Sequence, residues 1–364
     1  MTRRSGQAKA LTLLMITGLL LAACGSDGGS GSVSGGSGDG GSGDTKKLGF
    51  VVANVSLNFA REMADGGTAA AADAGGVKLQ VAGPATTDGP QEVQIFQNTL
   101  ITSPDGVVIE NLAPDLFTRA EAQAIDKGIP VVALDTIGLP GSKIETYVGN
   151  DNYDLGATLA KEAIKRLPKD PHGTIVLGEP NPGVPVLDSR VKGMKDTFAA
   201  ETPGITVKGP YETFSDPGKS YNAWSSLVRS NGNALAFLGV GDADSYSLAR
   251  LKKQTGGKYL TAGFDLDDQT LQAVKDGVNF VTISPEHFLK GYVALALLAK
   301  AVKDDADVPK GWIDVPGLVV DESNIDAVID RQASQEGRKS QIAPQAQKII
   351  DGLAGYTKPY GDAR

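Results

Sequence analysis

The chain has 364 residues, with 35 Lys and Arg against 43 Asp and Glu, a formal charge of −8 at pH 7 and a single cysteine. An acidic chain with no Lys/Arg cluster lacks the counterion-release footprint of nucleic-acid binding and is repelled by anionic headgroups, so neither nucleic acid nor direct membrane adhesion is expected. One Cys and two His, His172 and His287, supply neither a disulfide framework nor a Cys/His metal cluster, and no metal or cofactor is expected.

The first 24 residues read as an export signal. Arg3, Arg4 and Lys9 precede a mostly apolar run, Ala10 to Leu21, whose 12 residues fall short of the about 20 that span a bilayer. Leu21-Ala22-Ala23-Cys24 places the one cysteine at the cut site. This tetrapeptide resembles the bacterial lipobox, in which the Cys thiol is diacylated and the new N-terminus acylated, enough chains for stable anchoring. The expectation is a signal peptide over 1–23 and lipidation at Cys24, holding the protein at the cell envelope, on the outer face of the cytoplasmic membrane or in the periplasm. Loss of Arg3, Arg4 and Lys9 with the leader moves the formal charge from −8 to −11. From Gly25 to Asp44 there are ten Gly, six Ser, three Asp and one Val, too polar to fold. Residues 24–45 therefore read as an acylated Cys and a tether, with an r.m.s. reach of roughly 25 Å. Gly36, Gly38 and Gly41 satisfy GxGxxG here, but no strand precedes them and no helix follows, so the dinucleotide reading fails.

The part from Thr45 exceeds what one compact core usually holds, so two lobes are expected. Strands are expected at 48–55, 77–83, 106–111 and 130–135, with helices at 58–74, 90–103 and 113–128. Their continuous apolar character suits parallel sheets covered on both faces. The rhythm restarts with 147–151 and a helix at 152–167, then strands at 174–179, 205–212, 235–241 and 259–266, each followed by a helical pattern. A last strand at 279–286 and an apolar helix at 288–302 precede a β-like segment at 315–320. The tail from Asp321 reads as two short helices and an extended end.

The segments GIPVVALDT (128–136), YVGNDNYDLG (147–156), Arg-Val-Lys-Gly (190–193), AGFDLDDQTLQAVKDG (262–277) and HFLKGYVALALL (287–298) occur in that order. Together they resemble the type I periplasmic binding proteins, the ribose-binding-like receptors of sugar ABC transporters. The resemblance implies an α/β fold of two Rossmann-like parallel-sheet lobes joined by a three-segment hinge near 150–152, 284–287 and 315–318. It implies a first lobe of 46–151 plus 287–315, a second of 152–286 plus 316–330, and a tail of 331–364. It also implies a monomer that closes on a sugar or polyol and hands it to an ABC permease in the cytoplasmic membrane.

Ligands of open α/β sheets sit outside the carboxyl ends of the strands, where this chain places Asp135, Asp242 and Asp265. Carboxylates there accept paired hydrogen bonds from sugar hydroxyls, while helix capping is the competing use, with Asp244 a rival cap to Asp242. The resemblance adds Arg190 as a fork of donors to hydroxyls, and Phe59 and Phe214 as two aromatics that sandwich a sugar ring. Trp224 and Trp312 read as core or hinge residues.

Departures point away from ribose itself. The ribose pattern puts Asn where this chain has Leu57, Arg at Thr136, Asn at Gly241 and Gln at Pro285. Asn54, Glu286 and His287 are the replacement contacts considered, Thr136 stays a further ligand-binding candidate, and the missing side chain at Gly241 is expected to enlarge the pocket. Enzyme readings find no GxSxG and no HExxH, and Gly218-Lys219-Ser220 lacks the first Gly of a P-loop, so a binder is expected rather than an enzyme. The alternative function is a sensory receptor coupled to a kinase or chemotaxis partner, such as a furanosyl autoinducer binder. A repressor of related fold would carry a basic helix-turn-helix where this chain has its leader and tether.

Overall fold

Buried apolar strands alternate with helices to make two mostly parallel sheets. The computed structural model describes residues 45–364; the expected leader, Cys24 and the tether up to Asp44 lie outside the described residues. The chain begins β1 (Lys46–Val51), α1 (Asn58–Ala74), β2 (Val77–Ala82), α2 (Gly89–Thr102), β3 (Gly106–Ile109), α3 (Pro114–Asp126), β4 (Val131–Leu134) and β5 (Thr146–Gly149). It then crosses to α4 (Asn152–Ile164), β6 (Gly173–Glu179), α5 (Pro185–Glu201), β7 (Ile205–Glu212), α6 (Pro217–Ser230), β8 (Ala236–Gly239), α7 (Asp242–Thr255), β9 (Leu260–Phe264), α8 (Asp268–Lys275) and β10 (Thr282–Ser284). It returns through α9 (His287–Lys303) and β11 (Gly311–Asp314), crosses again to β12 (Leu318–Val320) and α10 (Ile325–Gln332), and ends with α11 (Gln335–Asp351) and β13 (Thr357–Lys358).

The first sheet runs β13-β11-β5-β4-β3-β1-β2 and the second β12-β10-β9-β8-β6-β7, parallel except where β13 and β12 pair at the edges. Both faces of each sheet are covered, which is why its strands read as unbroken apolar runs. In the first lobe, Phe50, Val108 and Val132 pack under α1 and α9, while Val107, Ile109 and Phe117 pack on the opposite face. Trp224 and Trp312 are buried; Trp224 Nε1 donates to Asp244 Oδ1 at 2.8 Å and Trp312 Nε1 to the Gly149 carbonyl at 2.9 Å.

One close helix crossing in each lobe sets the site. A Cβ at Gly66 of α1 would lie 2.0 Å from the Phe288 carbonyl oxygen, and one at Gly291 of α9 would lie 1.9 Å from that of Met63. In the second lobe Gly156 of α4 and Gly193 of α5 meet in the same reciprocal way, against the carbonyls of Arg190 and Tyr153. Only glycine lets these backbones approach so closely.

The last segment departs from expectation. The β-like stretch shortens to β12, and β11, four residues too short to show a period, adds a parallel strand beside β5. Instead of a second short helix, α11 runs 17 residues and buries Ile342, Ala346 and Ile349 against the α1 and α9 layer. Between α10, which packs on α8 through Val328 and Leu271, and α11 the chain crosses between lobes a fourth time. Polar contacts bind this crossing: Arg331 forms two hydrogen bonds of 2.9 Å to the Glu286 carboxylate, and Gln332 Nε2 donates to Glu62 Oε1 at 2.6 Å. The Arg364 carbonyl accepts from the Asn152 amide at 2.7 Å, pinning the chain's last residue to the start of α4.

Candidate functional site

The carboxyl ends of both sheets face one cleft, and four non-glycine residues just beyond strands take left-handed backbone: Asp135 (φ 62°), Phe214 (φ 61°), Asp265 (φ 73°) and Glu286 (φ 54°). Such strain collects where side chains must be aimed. Asp135 and Asp265 are pseudo-equivalent. Each leaves its strand with its amide bonded at 2.9 Å to the neighbouring strand's carbonyl, Val148 for Asp135 and Ile283 for Asp265.

A cavity lies between the lobes, lined from both of them. Its polar wall includes Asp135, Arg190, Asp242, Asp265 and His287. Asp135 is buried against Lys290 Nζ. Burial alone would raise the Asp135 carboxyl, but Lys290, then His287 and Arg190, outweigh it and hold the group at about 2. The Lys290 ammonium is itself pulled down by burial and supported chiefly by Asp135, so the pair is ionised and internally neutral.

Arg190 rises from the second turn of α5, anchored by the Gly156–Gly193 crossing. Its Nε donates to Asn152 Oδ1 at 3.0 Å, one NH to the Val240 carbonyl at 2.9 Å, and its guanidinium lies 4.4 Å over the Phe264 ring. His287 opens α9, with Nε2 2.8 Å from Asp265 Oδ1 and its ring 5.7 Å from that of Phe59. Burial, then Lys290, lowers the imidazole pKa against the pull of Asp265, which favours the neutral ring. With Nε2–H donating to Asp265, the tautomer that this network assigns leaves Nδ1 an acceptor.

Asp244, not Asp242, is the cap of α7: its carboxylate accepts from the Gly241 amide at 3.0 Å and from Trp224. Asp242 is thereby left to the cavity, where burial, then Asp265 and Asp267, raises its carboxyl well above the usual range. Two buried atoms of wall residues, Asp242 Oδ1 and His287 Nδ1, make no hydrogen bond within the described residues. Buried polar atoms are rarely left so.

Other candidates lie elsewhere. Phe214 does not line the cavity; the Lys219 ammonium lies 5.9 Å from its ring, and its neighbour Ser215 takes the wall position, so Phe59 has no Phe214 opposite it there. Asn54 is off the wall because its side chain shapes its own loop, accepting from the Ser56 amide at 2.7 Å and donating to Thr87. Thr136, beside Asp135, is fully buried and turned from the cavity. Glu286 faces the fourth crossing and Arg331 rather than the ligand space. Gly241 does line the cavity, yet a Cβ there would meet Pro180 Cγ at 2.4 Å, so it permits close backbone approach rather than enlarging the pocket. Lys290 was not singled out from the sequence. Its signal was available: it is the one charge between Phe288 and Ala299, one turn after His287.

The sequence model of the periplasmic binding protein domain matches residues 48–306. Over 234 residues the chain is 26% identical to the ribose import binding protein of Haemophilus influenzae, covering 64% of this chain and 78% of that one. The structure matches an ABC transporter solute-binding protein from Burkholderia graminis, solved with D-arabinose, at a TM-score of 0.72 and 26% identity, covering 78% of this chain and 98% of that one. A glucose-galactose binding protein from Geobacillus stearothermophilus shares the fold at a TM-score of 0.69 and 22% identity, covering 77% and 98%. Two lobes of mostly parallel sheet, with a cavity at their facing strand ends, are thus the fold of sugar-binding ABC transporter solute-binding proteins. The chain belongs to the periplasmic binding protein family.

Proposed function

We propose that this chain is the extracytoplasmic receptor of an ABC importer, held to the membrane by acylated Cys24, that captures a neutral polyhydroxylated molecule, a sugar or polyol, between its lobes. It binds and does not catalyse. The observation that carries the ligand class is the charge balance of the wall together with its two unpartnered atoms. Lys290 is matched by Asp135, Arg190 faces Asp265 and Asp135, and His287 is neutral, so no cation is left over for an anionic ligand. What remains is hydrogen-bonding capacity, at Asp242 Oδ1 and His287 Nδ1, suited to hydroxyl donors. Contacts from both lobes are complete only when the cleft is shut, so binding selects the closed form that a permease reads.

Calorimetric titration against pentoses, hexoses, inositols, sugar acids and nucleosides tests this, with Asp242→Asn as the control. Asp242 Oδ1 makes no hydrogen bond within the described residues and burial keeps this carboxyl well above its usual range, so the exchange of one neutral group for another should keep the ligand-free fold and weaken sugar binding roughly two- to tenfold, the worth of a neutral hydrogen bond. Tightest binding by a sugar acid, or undiminished affinity in Asp242→Asn, refutes the reading.

A further inference from the structure

The cavity wall is divided along its length. Most charged wall groups come from strands beside the lobe crossings: Asp135 follows β4, Asp265 follows β9 and His287 opens α9 at the crossing itself, while Asp242 follows β8 and Arg190 reaches from α5 toward Asp265 and Asp135. Farther from the crossings the wall turns apolar. Leu57 follows β1 and Leu112 follows β3 in the first lobe, while Val184, Val186 and Leu187 follow β6 in the second. The polar residues at this end are partly spent on each other, since Asn181 Nδ2 donates to Ser215 Oγ at 2.7 Å. Leu57, Leu112 and Leu187 are only half-buried by the protein although each lines the cavity.

We propose, resting on the sugar reading above, that the ligand is a sugar bearing an apolar group at the end away from the lobe crossings. That group is a deoxy methyl or the aglycone of an alkyl or aryl glycoside. A hydroxyl pressed against Leu57, Leu112 and Leu187 would lose its water without gaining a partner, whereas an apolar group covering them gains from burial. The competing use of these leucines is to seal the cleft, lobe against lobe, without touching ligand. The two uses differ in ligand preference.

Titration calorimetry on the wild-type protein uses matched pairs: D-galactose with 6-deoxy-D-galactose, L-mannose with L-rhamnose, and glucose and galactose with their methyl and phenyl β-glycosides. At least one apolar-bearing member should bind tighter than its hydroxylated parent by roughly tenfold or more, the worth of a methyl-sized group in an apolar pocket. Leu57→Asn and Leu187→Ser should shrink that ratio. A gain for deoxy sugars identifies the methyl as the recognised group, and a gain for glycosides alone identifies the aglycone. Hydroxylated parents binding as tightly as every partner, or a ratio unmoved in both variants, overturns the proposal while leaving the sugar reading standing. Absence of binding by any sugar or glycoside overturns both.

Discussion

Replacing Lys290 by Met tests whether the ion pair at the base of the cleft is what keeps Asp135 charged. Lys290 is fully buried and Asp135 nearly so, and the Asp135 carboxyl is held at about 2 against an ordinary 3.8. That difference of nearly two units is worth about 2 kcal/mol. Because the folded value is the depressed one, this stability is fully present above pH ~4 and is lost as pH falls through about 2. In Lys290→Met the burial cost of the carboxylate stands unopposed, and breaking a buried pair in this way costs about 3–5 kcal/mol. Differential scanning calorimetry of the ligand-free protein at pH 7 should show a melting temperature lower by roughly 6 °C or more. Adding Asp135→Asn removes the stranded charge, so the double variant should be more stable than Lys290→Met alone, with a coupling of about 2 kcal/mol or more. The acid loss of stability below pH ~4 should also shrink in Asp135→Asn. A Lys290→Met protein within about 1 kcal/mol of wild type, or a double variant less stable than the single, refutes the argument.

Arg331→Met should cost about 3–5 kcal/mol in urea unfolding, because it strands the Glu286 carboxylate at a crossing where both partners are buried; a loss below about 1 kcal/mol would show that the fourth crossing does not rely on the pair. Gly291→Ala should destabilise by about 1–3 kcal/mol although alanine is the better helix former by about 1 kcal/mol, since the added methyl would sit 1.9 Å from a backbone carbonyl that cannot swing aside. Unchanged or raised stability would mean that α1 and α9 can part freely. Cys24→Ala should abolish incorporation of radiolabelled palmitate and leave the protein uncleaved or released from membranes; continued labelling would place the acyl chain elsewhere.

Parallel strands buried on both faces must be apolar throughout, and that made β1, β3, β4 and their counterparts legible. Asp135, Asp242 and Asp265 were legible because strand ends in this class of fold face the ligand space, and a polar residue ending an apolar run is conspicuous; Arg190, within α5, was legible only through the family resemblance. Lys290 was missed for the opposite reason. It sits inside an apolar helix, where a lone charge looks like the solvent edge of an amphipathic pattern, and only the crossing of α9 over the sheet brings it under Asp135. Phe214 and Ser215 show the limit of position alone. Only Ser215 lines the cleft, beside the left-handed backbone at Phe214, and no period in the sequence records that choice. Segments as short as β11 and β13 find their place only through partner strands distant in the chain.

Residues that line the ligand space are bonded to residues of the lobe crossings. Asn150 Nδ2 donates to the carbonyls of Pro285 at 3.1 Å and Val315 at 2.6 Å, tying the first three crossings at one point. Asn152, in the first crossing, accepts from Arg190, and His287, in the second, is bonded to Asp265. A contact that loads Asp265 or Arg190 therefore acts on side chains already bonded to the crossings. Lobe orientation and ligand contact share these bonds, so a substitution at Asn152 changes the aim of Arg190 and the freedom of the first crossing together.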